Sequence, residues 1–210
     1  MRTFQRLAVA LTAAGLLTVS AAAAASAAPA HQVTARQAAA AAVPLRGGQT
    51  AVTTAPGIAA ALLGHGIVPI ATLPGTEGAR TSPSVTVRFV FPVTGGSVSL
   101  KPLAGRILHR GGILFLNVTN GKKIALSNFT INLGTRVLTG IVNGNPNARV
   151  PVFTLGLAHA TLQVHKHVVA ARGIVLRLTK TAAGALNSTF GTTLFKKGMV
   201  IGTDATDLAI

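Results

Sequence analysis

The segment Ala104–Ile131, AGRILHRGGILFLNVTNGKKIALSNFTI, carries the strongest fold signal in the sequence. It divides into three apolar pieces that are typical of consecutive strands: Arg106–His109, Ile113–Thr119 and Lys123–Ile131. Asn120-Gly121 predicts a tight hairpin, because a type I′ turn needs two consecutive residues with positive φ. Gly111-Gly112 can form the same kind of turn without a Cβ penalty. We therefore predict a three-stranded meander, with His109 at the lip of its first turn.

Strand patterns continue on both sides of this meander. Val85, Val87, Phe89 and Phe91 alternate with Thr86, Arg88 and Val90, as in a strand with one buried face. Pro92–Gly96 predicts a turn. Apolar residues change parity near Ser127-Asn128, which predicts a β-bulge. Further strands are expected at Arg136–Val142, Arg149–Leu157, Thr161–Val169 and Gly173–Thr179.

Two short segments have helical signals instead. Thr54 is placed to cap a helix that Gly64 ends. Thr181 is placed to cap a second helix over Ala182–Thr189, which Gly191 ends. The segment from Gly202 onward reads as a polar tail. These patterns predict an all-β fold, an antiparallel β-sandwich or open barrel with one or two short helices.

The N-terminus has the features of a processing segment. Two arginines precede a short apolar run, and Ala25-Ser26-Ala27 supplies a small-x-small cleavage site. We predict a signal peptide over 1–27, a low-complexity linker over 28–48 and a single β-rich domain over 49–210. The mature protein is expected to be secreted or associated with the cell surface, without a membrane span.

Composition restricts the partners and the chemistry. The 210 residues include 19 Lys and Arg, three acidic residues and no cysteine, tryptophan or tyrosine, with a net charge of +16. A charge of this sign favours anionic partners such as an envelope polymer. The basic residues are scattered and few aromatic residues accompany them, which argues against a specific nucleic-acid groove. Without cysteine there is neither a disulfide framework nor a thiolate metal site.

Candidate catalytic and metal-binding groups are sparse. The sequence has no nucleophile elbow, P-loop, dinucleotide-binding fingerprint or HExxH motif. Asp204 and Asp207 are the only neighbouring carboxylates, and they fall in the predicted tail. His165 and His167 flank Lys166, so a strand would project both imidazoles to one face, where they are weak candidates for a metal. The chain is therefore predicted not to be an enzyme, although a hydrolase with a dispersed site stays open.

The order of features between Arg88 and Gly198 resembles the HtaA domain of actinobacterial surface proteins. The matching pieces are Phe91-Pro92, the sequence GRILHRGG at Gly105–Gly112, the segment Ile124–Phe129, and Leu176–Thr179 before a short helix. The resemblance implies a β-rich domain that captures haem, with the family's histidine at His109. It also implies that Arg88, Arg106 and Arg110 are placed to meet the propionates or another anion. The family's tyrosine has no counterpart here.

Three functions follow from these observations. The first is a secreted, non-enzymatic β-domain that acts at the cell envelope as a structural or interaction module and needs no cofactor. The alternative is an HtaA-like protein that binds haem or another small ligand. The third is the hydrolase with a dispersed site.

Overall fold

The computed structural model describes residues 42–210, and the predicted signal peptide lies outside this range. Thirteen strands and two helices follow one another in the described chain. The strands are β1 (Val43–Pro44), β2 (Gly47–Thr54), β3 (Ile67–Thr72), β4 (Thr76–Arg80), β5 (Thr86–Leu100), β6 (Leu103–His109), β7 (Gly112–Asn117), β8 (Lys123–Asn132), β9 (Val137–Val142), β10 (Arg149–Gly156), β11 (Thr161–His165), β12 (Val168–Leu178) and β13 (Val200–Ala209). The helices are α1 (Ile58–Gly64) and α2 (Lys180–Phe190).

Eight of these strands form a closed antiparallel barrel. Its order is β5, β2, β13, β12, β10, β9, β8 and β6, and β6 pairs again with β5. The remaining strands extend this sheet at its margins: β3 and β7 beyond β8, β1 and β4 along β5, and β11 along β12. The predicted all-antiparallel β fold with two short helices is confirmed, and the barrel is closed.

The segment around His109 folds differently from the predicted meander. Strands β6 and β7 run in the same direction and pair with successive parts of β8, so Arg110-Gly111 is a kink and not a hairpin. Gly111 has φ +85°, and a side chain there would meet the backbone of Thr72 and Gly75. This close approach explains the need for glycine. The hairpin predicted in this region is confirmed, since β7 is joined to β8 through a loop that contains Asn120-Gly121. The predicted type I′ turn is wrong, because Gly121 has positive φ but Asn120 does not.

Of the two irregularities predicted in β8 and β5, one is confirmed and one is wrong. The predicted bulge is confirmed at Asn128, where φ is +49° and the register with β9 shifts. The predicted turn at Pro92–Gly96 is wrong, because β5 runs straight through it with only a register shift beside Gly95. Gly96 has φ +117° and its Cα faces the carbonyl of Arg106, so the strand bends without reversing.

The C-terminal segment is not a tail. Residues Val200–Ala209 form β13, which lies between β2 and β12 in the barrel. Its alternate residues Gly202, Asp204, Thr206 and Leu208 are buried. The strand is not predictable from alternation of apolar residues, because two of its inward-facing side chains are Asp and Thr instead of aliphatic residues.

Strand pairing also reaches into the segment predicted as linker. Val43–Pro44 pairs with β5, and β2 begins at Gly47, two residues before the predicted domain boundary at 49. Leu45, between these strands, is buried in the barrel core. Burial of this leucine gives the segment a reason to be ordered that its alanine-rich composition did not show.

The two helices lie close to their predicted positions, but their caps differ. Helix α1 begins after Gly57 with no side-chain cap, because the Thr54 hydroxyl instead accepts a hydrogen bond from the Val87 N–H of β5. Helix α2 is capped by Thr179, whose hydroxyl accepts from the Ala182 N–H at 3.1 Å. Gly191 ends it in the left-handed conformation, as predicted. Among residues 42–210, no helix is long and apolar enough to cross a membrane.

The structure predicts opposite changes in stability when two glycines are replaced by alanine. Gly112 is buried, and an added Cβ would collide with the backbone of Leu126 and Ser127, whereas Gly184 on α2 faces open space. We expect Gly112→Ala to destabilise the protein by about 1–3 kcal/mol through overpacking. Gly184→Ala should instead stabilise it by about 0.5–1 kcal/mol, because alanine restricts the unfolded chain. Urea unfolding of both variants measures this, and equal effects at the two positions would contradict the close packing beside His109.

Candidate functional site

A chain of four hydrogen-bonded side chains runs through the barrel interior. His109 Nε2 lies 2.8 Å from Thr50 Oγ1, which lies 2.8 Å from Thr206 Oγ1. The Thr206 hydroxyl donates to Asp204 Oδ1 at 2.7 Å. All four residues are buried, with His109 4% and Asp204 1% exposed. The structure therefore brings an acid and a base to the two ends of one polar path inside an apolar core.

Sheet register places these side chains together. Thr50 of β2 is opposite Thr206 of β13, and on its other side it is opposite Phe91 of β5. His109 ends β6 opposite Val93, the next inward-facing residue of β5. Alternation in each strand then directs all of these side chains into the barrel.

Burial shifts the pKa values of the two end groups in opposite directions. It raises the pKa of Asp204 from its ordinary 3.8 to about 6, against smaller lowering effects of the Thr206 hydroxyl and the Arg172 charge. It lowers the pKa of His109 from 6.5 to about 4, against a smaller raising effect of the hydrogen bond to the Phe129 carbonyl. Both changes have one cause, because a low-dielectric interior disfavours the charged form of either group. The imidazole is therefore neutral at neutral pH.

The protonation states of His109 and Asp204 determine which groups donate along the polar path. His109 Nδ1 lies 3.3 Å from the Phe129 carbonyl, which can only accept, so this nitrogen carries the proton of the neutral ring. Nε2 is then an acceptor for the Thr50 hydroxyl. At the other end of the path the Thr206 hydroxyl donates to Asp204 Oδ1. A neutral carboxyl reduces the cost of burying Asp204 Oδ2, which has no hydrogen-bond partner among the described residues.

An aromatic pocket surrounds the His109 end of this path. Its walls include five phenylalanines, and helix α1 covers it with Ile58 and Leu62. The phenylalanines are Phe89, Phe91, Phe115, Phe129 and Phe153. The ring of Phe91 packs edge-on against that of Phe129, with centroids 5.2 Å apart. The free volume is about 50 Å³, so the pocket has room for water-sized groups and is otherwise filled by its own side chains.

The predicted ligand-binding residues do not converge. His109 is buried inside the barrel, so its predicted position at the lip of a turn is wrong, because β6 continues past it into β7. Arg88, Arg106 and Arg110 are all exposed. The arginines and the imidazole therefore lie on opposite sides of the barrel wall.

The predicted histidine pair lies elsewhere. His165 ends β11 and His167 follows the turn residue Lys166, whose φ is +51°. The expected single strand Thr161–Val169 is thus a hairpin, with His165 opposite Val168. Both histidines are exposed. In the part of the chain that is described, no group of three or more His, Cys, Asp or Glu side chains is placed to hold a metal ion.

Sequence reasoning missed three members of the polar path. Thr50 has no neighbour in the sequence that marks it as functional, and Thr206 and Asp204 lie in the segment predicted as a tail. A signal was present in the alternation of Gly202, Asp204, Thr206 and Leu208, which has the period of a strand with one polar-lined buried face.

Comparison with known proteins finds solved structures with a similar fold. The chain matches no protein-family model and no curated protein sequence. The crystal structure of the C-terminal domain of HtaA from Corynebacterium glutamicum is similar, with a TM-score of 0.52 and 15% identity over 78% of this chain and 98% of that chain. The fold is HtaA-like. The haem-binding protein HtaB from the same organism has a TM-score of 0.45 and 11% identity over 80% of this chain and 96% of its own.

The HtaA-like fold was thus predicted correctly from the sequence resemblance. At this level of identity the likeness concerns the backbone, and the side chains of this barrel decide what it binds.

The polar path predicts opposite pH dependences for two variants. The raised pKa of Asp204 stabilises the protein at low pH, and this contribution is lost as the pH rises from about 4 to about 6. The lowered pKa of His109 acts in reverse, because its contribution is lost as the pH falls from 6.5 towards 4. In the unmodified protein the two dependences oppose each other.

We expect Asp204→Asn to leave the histidine effect, so that the free energy of unfolding rises between pH 4 and 6.5. His109→Gln should leave only the effect of the Asp204 carboxyl, so that the free energy of unfolding falls between pH 4 and 6. Each change amounts to at most about 3 kcal/mol, because a tenfold difference in proton affinity between the folded and unfolded states corresponds to about 1.36 kcal/mol. Urea titrations across this range measure both, and two slopes of the same sign would exclude the proposed protonation states.

Proposed function

We propose that this chain is a non-enzymatic, secreted ligand-binding protein whose site is the aromatic pocket at His109, and that its ligand is haem. The buried, neutral imidazole among five phenylalanine rings supports this function. A pocket that combines apolar walls, a few polar groups and a perturbed titratable residue is the usual form of a small-ligand site. The HtaA resemblance identifies haem as the ligand to test first.

The protonation state of His109 suits iron. Imidazole binds a metal through an unprotonated nitrogen, and the proton on Nδ1 leaves the Nε2 lone pair available. Because the pKa of His109 is about 4, no proton has to be removed from the ring at neutral pH. Binding would replace the Thr50 contact at Nε2 with a bond to iron, and the Phe129 carbonyl would continue to orient the ring, as hydrogen bonds to metal-bound histidines commonly do.

Haem can enter only if the cover of the pocket moves. The free volume of about 50 Å³ is too small for a porphyrin. Helix α1 is the element best suited to move, since it has seven residues, no side-chain cap, and only Ala59 and Leu62 buried. The free energy needed to displace it would reduce the affinity, so haem should bind modestly and be readily lost.

The exposed arginines are placed to contact the propionates of haem at the edge of this site. Arg110 directly follows His109, and Arg106 precedes it on the outer face of the same strand. Arg88 lies on the outer face of the neighbouring region of β5. Propionates that reach the surface would meet these guanidinium groups, which can form charge-assisted hydrogen bonds with carboxylates.

Haem titration with absorbance detection tests this function. We expect a saturable Soret shift for the wild-type protein and at least a tenfold loss of affinity in His109→Ala, because the variant lacks the axial nitrogen. His165→Ala and His167→Ala serve as matched controls and should bind haem as the wild type does, since both histidines are exposed and neither lines the His109 pocket.

Two results would count against the haem site. One is the absence of saturable binding by the wild-type protein. The other is unchanged binding by a folded His109→Ala variant, which would assign any Soret shift to exposed histidines.

The charge distribution favours a second function, attachment to an anionic envelope polymer. All sixteen Lys and Arg residues in 42–210 are exposed. Of the three acidic residues, Asp204 is buried and Asp207 forms a 2.5 Å ion pair with Arg172. Glu77 accepts a hydrogen bond from the Ala71 N–H. The exposed charges of residues 42–210 are therefore mostly positive, and they are spread along the chain.

Such a surface should bind anionic polymer in a salt-dependent way. We expect retention on isolated cell walls to fall smoothly with added salt, because exposed charges are screened over about 8–10 Å near physiological ionic strength. Sedimentation with cell walls at a series of salt concentrations measures this. Retention that persists at molar salt would require a desolvated, specific contact instead of a diffuse positive surface.

A further inference from the structure

We infer that the barrel holds a second ligand site, a cavity that takes a medium-chain carboxylate with its tail inside the barrel and its head at Arg136. This cavity, here called the calyx, has a volume of about 240 Å³. Its walls are mainly aliphatic and include Ile107, Ile131, Leu155, Ile174 and Leu208. It shares no lining residue with the His109 pocket.

The chemistry of the walls requires an apolar tail. None of the three acidic side chains lines the calyx, and the hydroxyl at its inner wall belongs to Thr206. That hydroxyl is already bonded to both Thr50 and Asp204. The interior therefore offers no free polar partner, and a polar group carried into it would lose its hydrogen bonds to water without replacement.

The volume sets the length of the tail. An apolar cavity of about 150 Å³ binds benzene, which has six carbons. In proportion, the 240 Å³ of the calyx suits a tail of about ten carbons. Burial contributes about 0.8 kcal/mol for each methylene, so affinity should rise about fourfold with each added carbon until the calyx is full.

Arg136 determines the head group. It is the only charged residue among those that line the calyx, and it is exposed, as expected at a mouth. Its φ of +55° is unusual for a residue other than glycine. Its carbonyl accepts a hydrogen bond from the Leu155 N–H at 2.9 Å, which holds this conformation. A strained residue that is fixed at the mouth of a pocket indicates a functional position, and a guanidinium group favours a carboxylate.

The cover of the calyx is thin enough to admit a ligand. Thr161 and Leu162 of β11 belong to its lining, and every residue of β11 is exposed. This strand pairs only with β12, so it lies at the margin of the sheet. Leu162 is 49% exposed, which is costly for a leucine in water. A tail that enters beside it would cover this side chain.

Calorimetric titration with decanoate, below its micelle-forming concentration, tests the site in the mature protein. We expect one decanoate per chain, and affinity that increases from hexanoate to decanoate and levels off beyond it. Arg136→Gln should weaken decanoate binding about tenfold. The matched control Arg80→Gln, which removes an exposed arginine of β4 that does not line the calyx, should not. Decanol should bind the wild type and Arg136→Gln equally, because it has no carboxylate.

A second variant tests the cavity itself. Ala171 lines the calyx, and Ala171→Leu would fill part of its volume. We expect this variant to lose decanoate and decanol binding while it still unfolds cooperatively. The inference is overturned if the wild type shows no saturable binding, if Arg136→Gln binds decanoate as Arg80→Gln does, or if a folded Ala171→Leu variant binds like the wild type.

This site stands apart from the haem proposal. Decanoate at saturation should not displace haem, because the two cavities have separate walls. If the protein binds decanoate but shows no Soret shift with haem, the calyx is supported and the haem site is excluded. If it shows a saturable Soret shift but does not bind decanoate, only the calyx is excluded.

Discussion

The pairing of β6 with β5 on one side and β8 on the other closes the sheet, and most other features depend on this closure. A closed barrel leaves no free edge among its eight strands and excludes water from the inward-facing side chains. Closure requires close backbone contacts between β5 and β6. Gly96 and Gly105 permit them, because a side chain at either position would collide with the facing carbonyl of Arg106 or Ser97.

Exclusion of water explains the behaviour of the buried polar path. A carboxyl and an imidazole in such an interior both favour their neutral forms, so the pKa of Asp204 rises and that of His109 falls. Two threonine hydroxyls can connect these groups because each hydroxyl both donates and accepts. Asp204 Oδ2 has no hydrogen-bond partner within residues 42–210, which costs stability. A protein that keeps such a cost commonly uses it for specificity or function.

The path also separates two environments within one barrel. On the His109 side the walls are aromatic and the polar group is a neutral imidazole. On the Thr206 side the walls are aliphatic and the polar group is a cation at the mouth. An HtaA-like backbone is compatible with either kind of ligand, since a fold provides positions and the side chains provide the chemistry. The two proposed sites use different residues and can be tested independently.

The local patterns of the sequence determined much of the fold. Alternation through Phe89 and Phe91, the bulge at Asn128, the hairpin at Asn120-Gly121 and the end of α2 at Gly191 were all predictable. Each of these features depends on side chains or backbone angles within a few residues, so their causes are visible in a short stretch of sequence.

Only the tertiary structure decided where His109 points and what it contacts. Gly111-Gly112 is compatible with a hairpin or a kink, and the choice depends on β8 pairing with both β6 and β7. Thr50 and Thr206 are 156 residues apart in the chain and meet only through the register of β2 and β13. The sequence by itself therefore determined an antiparallel β domain with an HtaA-like fold. Barrel closure converted a histidine expected at the surface and a carboxylate expected in a tail into the two ends of a buried polar path.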